Sequence, residues 1–307
     1  MYKKKIHLLS SGDVLAEDIH VNNKLVYKQG TVLALHHIFS LIQMGVRQVK
    51  VVEVPNEKKF EKVESTPPFI ANQIDEDYYE QWFNKYFELG TNKGRYCSLI
   101  QTKEDFSCLQ ELFKTLLSHP LVPSMLSALK TWDLYSYNHS MDVFIIGTQW
   151  LKHMEDQNSI KKIAAGFLLH DIGKIKIPQS ILQKRGRLTK KEFEIVKTHV
   201  FHGEQILNSA GFPKIICDMA MYHHKTYDNS GYPDTGAIEL NLAKEIRILT
   251  IVDVFSALTL ERPYRHAFSR DKALEILLKE HKKFDPFLLE DFFRFILKME
   301  NQEPSLQ

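Results

Sequence analysis

The sequence predicts a mainly α-helical protein, a helical bundle preceded by a small α+β module. From about Val122 onward, apolar residues recur at helical spacing in one segment after another, with short connections. That half shows no strand–helix alternation of the kind a parallel α/β fold requires. Residues 1–55 read differently, as short apolar clusters cut by turn residues and followed by one helix and one β-branched run.

The module comes first. Ile6–Leu9 and Leu25–Tyr27 are short apolar clusters separated by Asn22-Asn23 and Gln29-Gly30. Ile38, Leu41, Ile42 and Met44 mark a helix that Gly45 stops, and Val46–Val54 alternates as a strand does. Nothing in residues 1–55 carries chemistry, and a packing or regulatory role is expected. The His36-His37 doublet has no carboxylate or spaced histidine to support it as a metal site.

Residues 56–121 read as a linker followed by connecting helices. The stretch up to Pro67-Pro68 is charged and poor in apolar residues. Asp75–Leu89 carries an aromatic stripe at helical spacing, expected to be core, and Glu104–Leu117 shows a clear apolar face.

Residues 122–307 form the helical domain. Leu134–Glu155 contains His139, and Ile160–His170 runs into the pair His170-Asp171. Thr189 to Glu192 is a capping box that opens a helix reaching Leu207 and holding His199. Pro213–His224 ends in the doublet His223-His224, and Ala243–Glu261 contains Asp253. Asp285-Pro286 caps and opens the last helix. Facing helices of such bundles commonly build metal sites in the core.

Composition bounds the function. The chain has 307 residues, 44% hydrophobic and 25% charged, the balance of a globular protein. A formal net charge of +2 gives no reason to expect polymeric nucleic acid as a partner. Cys97, Cys108 and Cys217 show no CxxC spacing, so a reducing, cytoplasmic compartment is expected. No secretory signal is visible, and no apolar run approaches the roughly 20 residues of a membrane helix.

The organising stretch is Leu168-Leu169-His170-Asp171-Ile172-Gly173-Lys174. A histidine and a carboxylate side by side at the end of an apolar run can both reach one metal, and Asp171 can bridge to a second. His139, His199 or His202, and His223-His224 supply further imidazoles from other helices. Asp253 lies inside an apolar run, where a carboxylate is costly unless paired or bound to metal. His223-His224 runs straight into the turn-rich Asp228–Pro233, suited to the mouth of a pocket. His153, His266 and His281 read as surface residues. Imidazole with bridging carboxylate suits iron, manganese, cobalt or zinc.

Three blocks, LLHDIGKIKIPQSILQKRGRLTKKEFEIVKTHVFHG, HHKTYDNSGYP and DVFSALTLERPYR, occur in the order found in HD-GYP domains, which this chain resembles. HD-GYP domains are a branch of the HD metal-dependent phosphohydrolases. The resemblance runs from about Ser136 through the last helix, over half the chain, and GDVLAEDI resembles the small domain often placed ahead of HD-GYP domains.

The resemblance implies a cyclic di-GMP phosphodiesterase with a binuclear centre. His139, His170, Asp171 and Asp253 would hold one metal, and His199, His223 and His224 the second, with Asp171 bridging. Two divalent transition metals are expected, iron first, with manganese, cobalt and zinc as alternatives. His199 aligns rather than His202, because Gly203 follows it by four residues as in the family. Lys174 would contact the scissile phosphate, Arg262 and Arg265 the other phosphate or a guanine, and Gly231, Tyr232 and Pro233 form the GYP loop.

The sequence departs from the family pattern at four places. Lys225 stands where the family has Glu, Asn229 where it has Gly, and Ser256 where it has Asp; Tyr135 replaces a Glu that ligates a third metal in trinuclear members. A two-metal centre releasing mainly the linear dinucleotide pGpG is therefore expected. The ions would share a hydroxide of lowered pKa that attacks phosphorus in line. The alternative reading is a sensor or scaffold that binds metal and nucleotide and signals through a protein partner such as a GGDEF-domain protein.

Overall fold

The computed structural model describes residues 1–52, 99–100, 102–154, 157–234, 242–262 and 265–298. The expected linker before Pro67-Pro68 and the aromatic segment Asp75–Leu89 lie outside the described residues.

A three-stranded antiparallel sheet opens the chain: β1 (Tyr2–Lys5), β2 (Val14–Leu15) and β5 (Gln48–Val52), with β5 in the middle. β1 pairs with β5 from Tyr2↔Val51 to Lys5↔Gln48. Val49 and Val51 turn inward on alternate positions, as the β-branched run predicts. β3 (Ile19–Val21) and β4 (Lys24–Tyr27) form a hairpin, with Asn22 and Asn23 at φ 50° and 61°. Asparagine tolerates positive φ at both central positions of such a turn. Helix α1 (Leu35–Gln43) buries Ile38, Phe39, Leu41 and Ile42. The ring Nδ1 of His37 accepts the Ala34 N–H at 3.0 Å, so half of the His36-His37 doublet serves as a helix cap.

The described elements that follow are helical. α2 (Lys103–Leu117) starts from a reciprocal capping box between Thr102 and Asp105. α3 (Val122–Trp132) packs against α1, and Lys176 donates to the Leu9 carbonyl, so the module is fastened to the bundle near the His170-Asp171 pair. α4 (Leu134–His153), capped by Asp133, and α10 (Lys244–Thr259) are buried along almost their whole length. A helix apolar on every side belongs in a core. α5 (Gln157–Leu169) leads into a 3-10 turn at Ile172–Lys176 and a short α6 (Gln179–Leu182). α9 (Lys214–Tyr222), α11 (Arg270–Lys279) and α12 (Pro286–Lys298) complete the order. As the sequence predicts, Asp285 caps α12, its Oδ1 accepting from the N–H groups of Phe287 and Leu288 at 2.9 and 3.1 Å. One hydrophobic cluster runs from Ile6 in the module to Ile296 in α12.

One element differs from expectation. The helix opening at Thr189 is two helices, α7 (Lys190–Lys197) and α8 (His199–Ser209), broken at Thr198. The Thr198 hydroxyl and the His199 ring donate to the carbonyls of Ile195 and Val196 at 2.7 Å each, beside the Thr198 N–H that closes the last turn on the same two carbonyls. The break puts His199 at the start of α8, against the 3-10 turn. Gly173 permits that approach, since a Cβ there would lie 1.9 Å from the His199 carbonyl oxygen.

Candidate metal centre

Two largely buried helices carry four polar side chains that must find one another. α4 contributes His139 and Asp142, and α10 contributes Asp253 and Ser256, all at or below 5% exposure. His139 Nε2 lies 2.7 Å from Asp253 Oδ1, and His139 Nδ1 lies 3.0 Å from Ser256 Oγ. The Ser256 hydroxyl donates to Asp142 Oδ2 at 2.6 Å.

The other histidines share a local device. His170, His199 and His223 each place Nδ1 against a carbonyl three residues earlier, Phe167 at 2.9 Å, Val196 at 2.7 Å and Ala220 at 2.9 Å. A carbonyl only accepts, so each Nδ1 carries the proton and each Nε2 presents a bare lone pair. Those lone pairs converge. His199 Nε2 and His223 Nε2 are 3.3 Å apart, and Asp171 Oδ1 is 3.3 Å from the first and 3.8 Å from the second. Asp171 Oδ2 lies 3.5 Å from His170 Nε2 and 3.9 Å from His139 Nε2. Asp171 thus turns one oxygen to each half of the cluster. His224, more open than the rest, has Nδ1 3.6 Å from Asp253 Oδ2.

The donor set fits divalent metal. The ligand atoms of His139, His170 and Asp253 lie within 4.8 Å of one another, as do those of His199, His223 and His224 and those of His170, Asp171 and His223. His170 Nε2 and Asp171 Oδ1 are buried without a hydrogen-bond partner. Bare lone pairs facing one another repel, and cations placed among them remove the conflict. Mixed imidazole and carboxylate donors suit first-row transition metals.

The electrostatics keep every ligand but His170 in the form a metal requires. Burial holds His199 near a pKa of about 3 and His224 near about 4, and pushes His223 well below the ordinary imidazole value. His139 is lowered by burial against the opposing pull of Asp253. For His170, burial is outweighed by Asp171 and Asp253, and the value rises. Burial would raise Asp171 and Asp253, but Lys174 and the histidines bring Asp171 down, and His139 and His170 bring Asp253 down, both well below the carboxylate range. Neutral imidazole and ionised carboxylate are the states that bind metal.

Around the cluster, Lys174 Nζ contacts Asp171 Oδ2 at 2.6 Å, and burial of the ammonium is more than offset by that carboxylate, so its pKa is raised. The Tyr232 ring tilts over His224 with centroids 4.6 Å apart. Gly231 sits at φ +80°, and a Cβ there would lie 2.1 Å from the His224 carbonyl oxygen, so only glycine lets the loop close on the doublet. Pro233 follows through a cis peptide. Lys225, buried beside the doublet, bridges to Gly231. Arg262 lies over the Tyr135 ring, 5.2 Å from its centroid, and that ring stacks parallel to His139. Arg265 is turned differently: its Nη2 donates to the carbonyls of Ala257 and Leu258, at the end of α10, at 2.7 and 3.0 Å.

The structure gathers His139, His170, Asp171, His199, His223, His224 and Asp253 in one place, with Lys174 and the 231–233 loop at its edge. His202 lies away from it, close enough to His7 and Lys176 to share a field with them. His266 is fully exposed, His281 is exposed, and His153 packs on Phe295. Asp142 escaped the sequence reading. Its signal was weak, since Asp142 stands at the head of the apolar run Val143–Ile146 and follows the polar Asn138-His139-Ser140.

Residues 145–288 match the family model described as HD domain. A cyclic di-GMP phosphodiesterase of Pseudomonas aeruginosa is 29% identical over 199 residues, covering 64% of this chain and 48% of that protein. One from Thermotoga maritima is 30% identical over 73% of this chain and 60% of its own length. A 3'3'-cGAMP-specific phosphodiesterase of Vibrio cholerae is 42% identical over 120 residues, 39% of this chain and 26% of its own length. The chain thus spans about half, or less, of the first curated relatives it matches, at 48% and 37% of their lengths. Among the described residues, no helix is long and apolar enough to cross a membrane.

Proposed function

We propose, from the match of residues 145–288 to the HD domain, that this chain is a metal-dependent cyclic di-GMP phosphodiesterase of the HD-GYP branch, acting at a two-metal centre and releasing mainly the linear dinucleotide. The observation that carries the proposal is the convergence of bare imidazole nitrogens and buried carboxylates, two of whose atoms are orphaned, beside a lysine.

His139, His170, Asp171 and Asp253 would hold one ion, and His199, His223 and His224 with Asp171 the other. Bound there, a pair of divalent ions, iron first, supplies Lewis acidity and an activated water. The remaining work falls to the chain. Lys174 moves its charge from Asp171 toward the scissile phosphate and stabilises negative charge as it builds on the phosphoryl oxygens. Tyr232, tilted over His224 at the open edge, offers a ring face to a guanine. Arg262 faces the second phosphate from above Tyr135. Burial raises the Tyr135 pKa, so its phenol stays neutral where trinuclear relatives place a carboxylate, which supports two ions and a single cleavage.

The similarity to the 3'3'-cGAMP-specific enzyme favours a second reading within the same chemistry, a mixed guanine–adenine dinucleotide as substrate. Anaerobically prepared protein, analysed for metal and assayed with both dinucleotides in competition, tests the proposal. Two metals per chain with preferred turnover of cyclic di-GMP to pGpG supports it. Preference for cGAMP selects the second reading, and metal without turnover of either points to a scaffold.

A further inference from the structure

We propose that Ser256 and Asp142 are positioning residues for His139, forming a carboxylate–hydroxyl–imidazole relay that fixes the His139 tautomer for metal binding; this rests on the two-metal reading above. The three side chains are fully enclosed, Asp142 and Ser256 at 0% exposure and His139 at 2%. His139 lacks what its sister ligands have. His170, His199 and His223 each fix Nδ1 on a carbonyl one turn earlier, whereas His139 places Nδ1 on the hydroxyl of Ser256, 117 positions away.

A hydroxyl can donate or accept, so Ser256 alone would leave the tautomer open. Asp142 removes the choice. The Ser256 hydroxyl donates to Asp142 Oδ2 at 2.6 Å, the short range of a hydroxyl bonded to a carboxylate. The single hydroxyl hydrogen is therefore committed to Asp142, and Ser256 can only accept from His139. Nδ1 then keeps its proton, and Nε2, 2.7 Å from Asp253 Oδ1, is left as the nitrogen that can exchange a shared proton for a metal shared with that carboxylate.

The relay also explains how this chain tolerates serine at position 256. A carboxylate there would stand against the Asp142 carboxylate in a fully buried site, and two like charges at that range cannot both ionise. With serine the carboxylate comes from α4, one residue removed, and the polarity at His139 is retained.

The test uses the full-length protein, with Zn2+ as a diamagnetic probe. Removing such a partner typically weakens metal binding about 10- to 100-fold. Ser256→Ala is therefore expected to bind the first Zn2+ about 10- to 100-fold more weakly, and Ser256→Thr, which keeps the hydroxyl, to stay within about threefold of the parent. Nitrogen-15 spectra of the metal-free parent should show a proton on His139 Nδ1. Parental Zn2+ affinity in Ser256→Ala, or a bare Nδ1 in the parent, would overturn the relay. The parental spectrum decides even where the alanine variant does not fold. A parent that binds no Zn2+ at all would instead refute the two-metal reading.

Discussion

Two lysine–aspartate pairs in this molecule look alike and do different things. Lys4–Asp13 in the N-terminal module and Lys174–Asp171 in the bundle have N–O separations of 2.7 and 2.6 Å and the same 16% exposure of the lysine. Around Asp13 the bonding is finished: Lys4 reaches both oxygens, and the Ser10 N–H takes Oδ2 at 2.8 Å. Around Asp171 it is not. Oδ1 has no hydrogen-bond partner, and imidazole lone pairs approach from both sides. A buried ion pair reads as structural when its polar atoms are satisfied, and as a site when the fold holds them unsatisfied against their own repulsion.

The sharpest way to break that distinction is to neutralise each aspartate in turn. Asp171→Asn is expected to abolish turnover and to leave less than about a tenth of the parental metal, because in the proposed centre its oxygens would serve both ions. Asp13→Asn should leave metal content and turnover at the parental level while lowering unfolding free energy by about 1–3 kcal/mol, the range for stranding a buried partner. Elemental analysis alongside denaturant unfolding separates the two. Full metal content in the Asp171 variant would remove it from the centre.

A smaller effect is expected on the lysine side. Lys174→Met should reduce turnover or nucleotide affinity at least about tenfold, since a charge-assisted bond to phosphate contributes roughly 1.5–3 kcal/mol. Metal content should stay near parental. Lys4→Met should touch neither quantity. Titration of both metal-loaded variants with cyclic di-GMP checks this, and parental affinity and rate in Lys174→Met would make that lysine structural, like its counterpart. Arg265→Ala is expected to act mainly on the melting temperature, because the guanidinium holds the carbonyls at the end of α10.

Much of this was legible in the sequence because the informative residues break a local rule. Asp253 interrupts an apolar run and His170-Asp171 ends one; burial makes such placements expensive, so they had to be satisfied in space. The capping box at Thr189 and the N-cap at Asp285 are local and were readable for the same reason. What stayed hidden depends on distant partners. Asp142 acquires its meaning only when α10 brings Ser256 against it, 114 residues later. The break at Thr198 leaves hydrophobic periodicity intact and arises from two side chains taking backbone carbonyls. Arg265 presents the same charge in the sequence whether it meets a phosphate or a helix end.

The mildest expected effect is a response to acid, read on metal-free protein so that metal and proton do not compete. An ordinary imidazole titrates near 6.5, whereas burial holds His199 at about 3 and His224 at about 4 and keeps His139 and His223 low as well. As pH falls below 6.5, the unfolded chain takes up protons that these folded side chains refuse. Stability must then decline from pH 6.5 through about 4, where folded His224 begins to take up its proton, and on toward about 3, where His199 does. His170 acts in the opposite sense. Its raised value gives stability that is present below 6.5 and lost as pH rises through the folded value. Asp171 and Asp253, both depressed, lose their contribution only below the carboxylate range, outside this window. Four lowered histidines against one raised leave a net loss in acid. His37 in the module, lowered to about 4 by burial, adds a background of the same sign. Urea unfolding at about pH 7.5 and about pH 5 should therefore give a lower midpoint at the acid value. His199→Gln combined with His224→Gln should flatten the difference, whereas His37→Gln should remove only its own share. An unchanged acid response in the double variant would place the proton-refusing groups elsewhere and dissolve the contrast between the finished pair and the unfinished one.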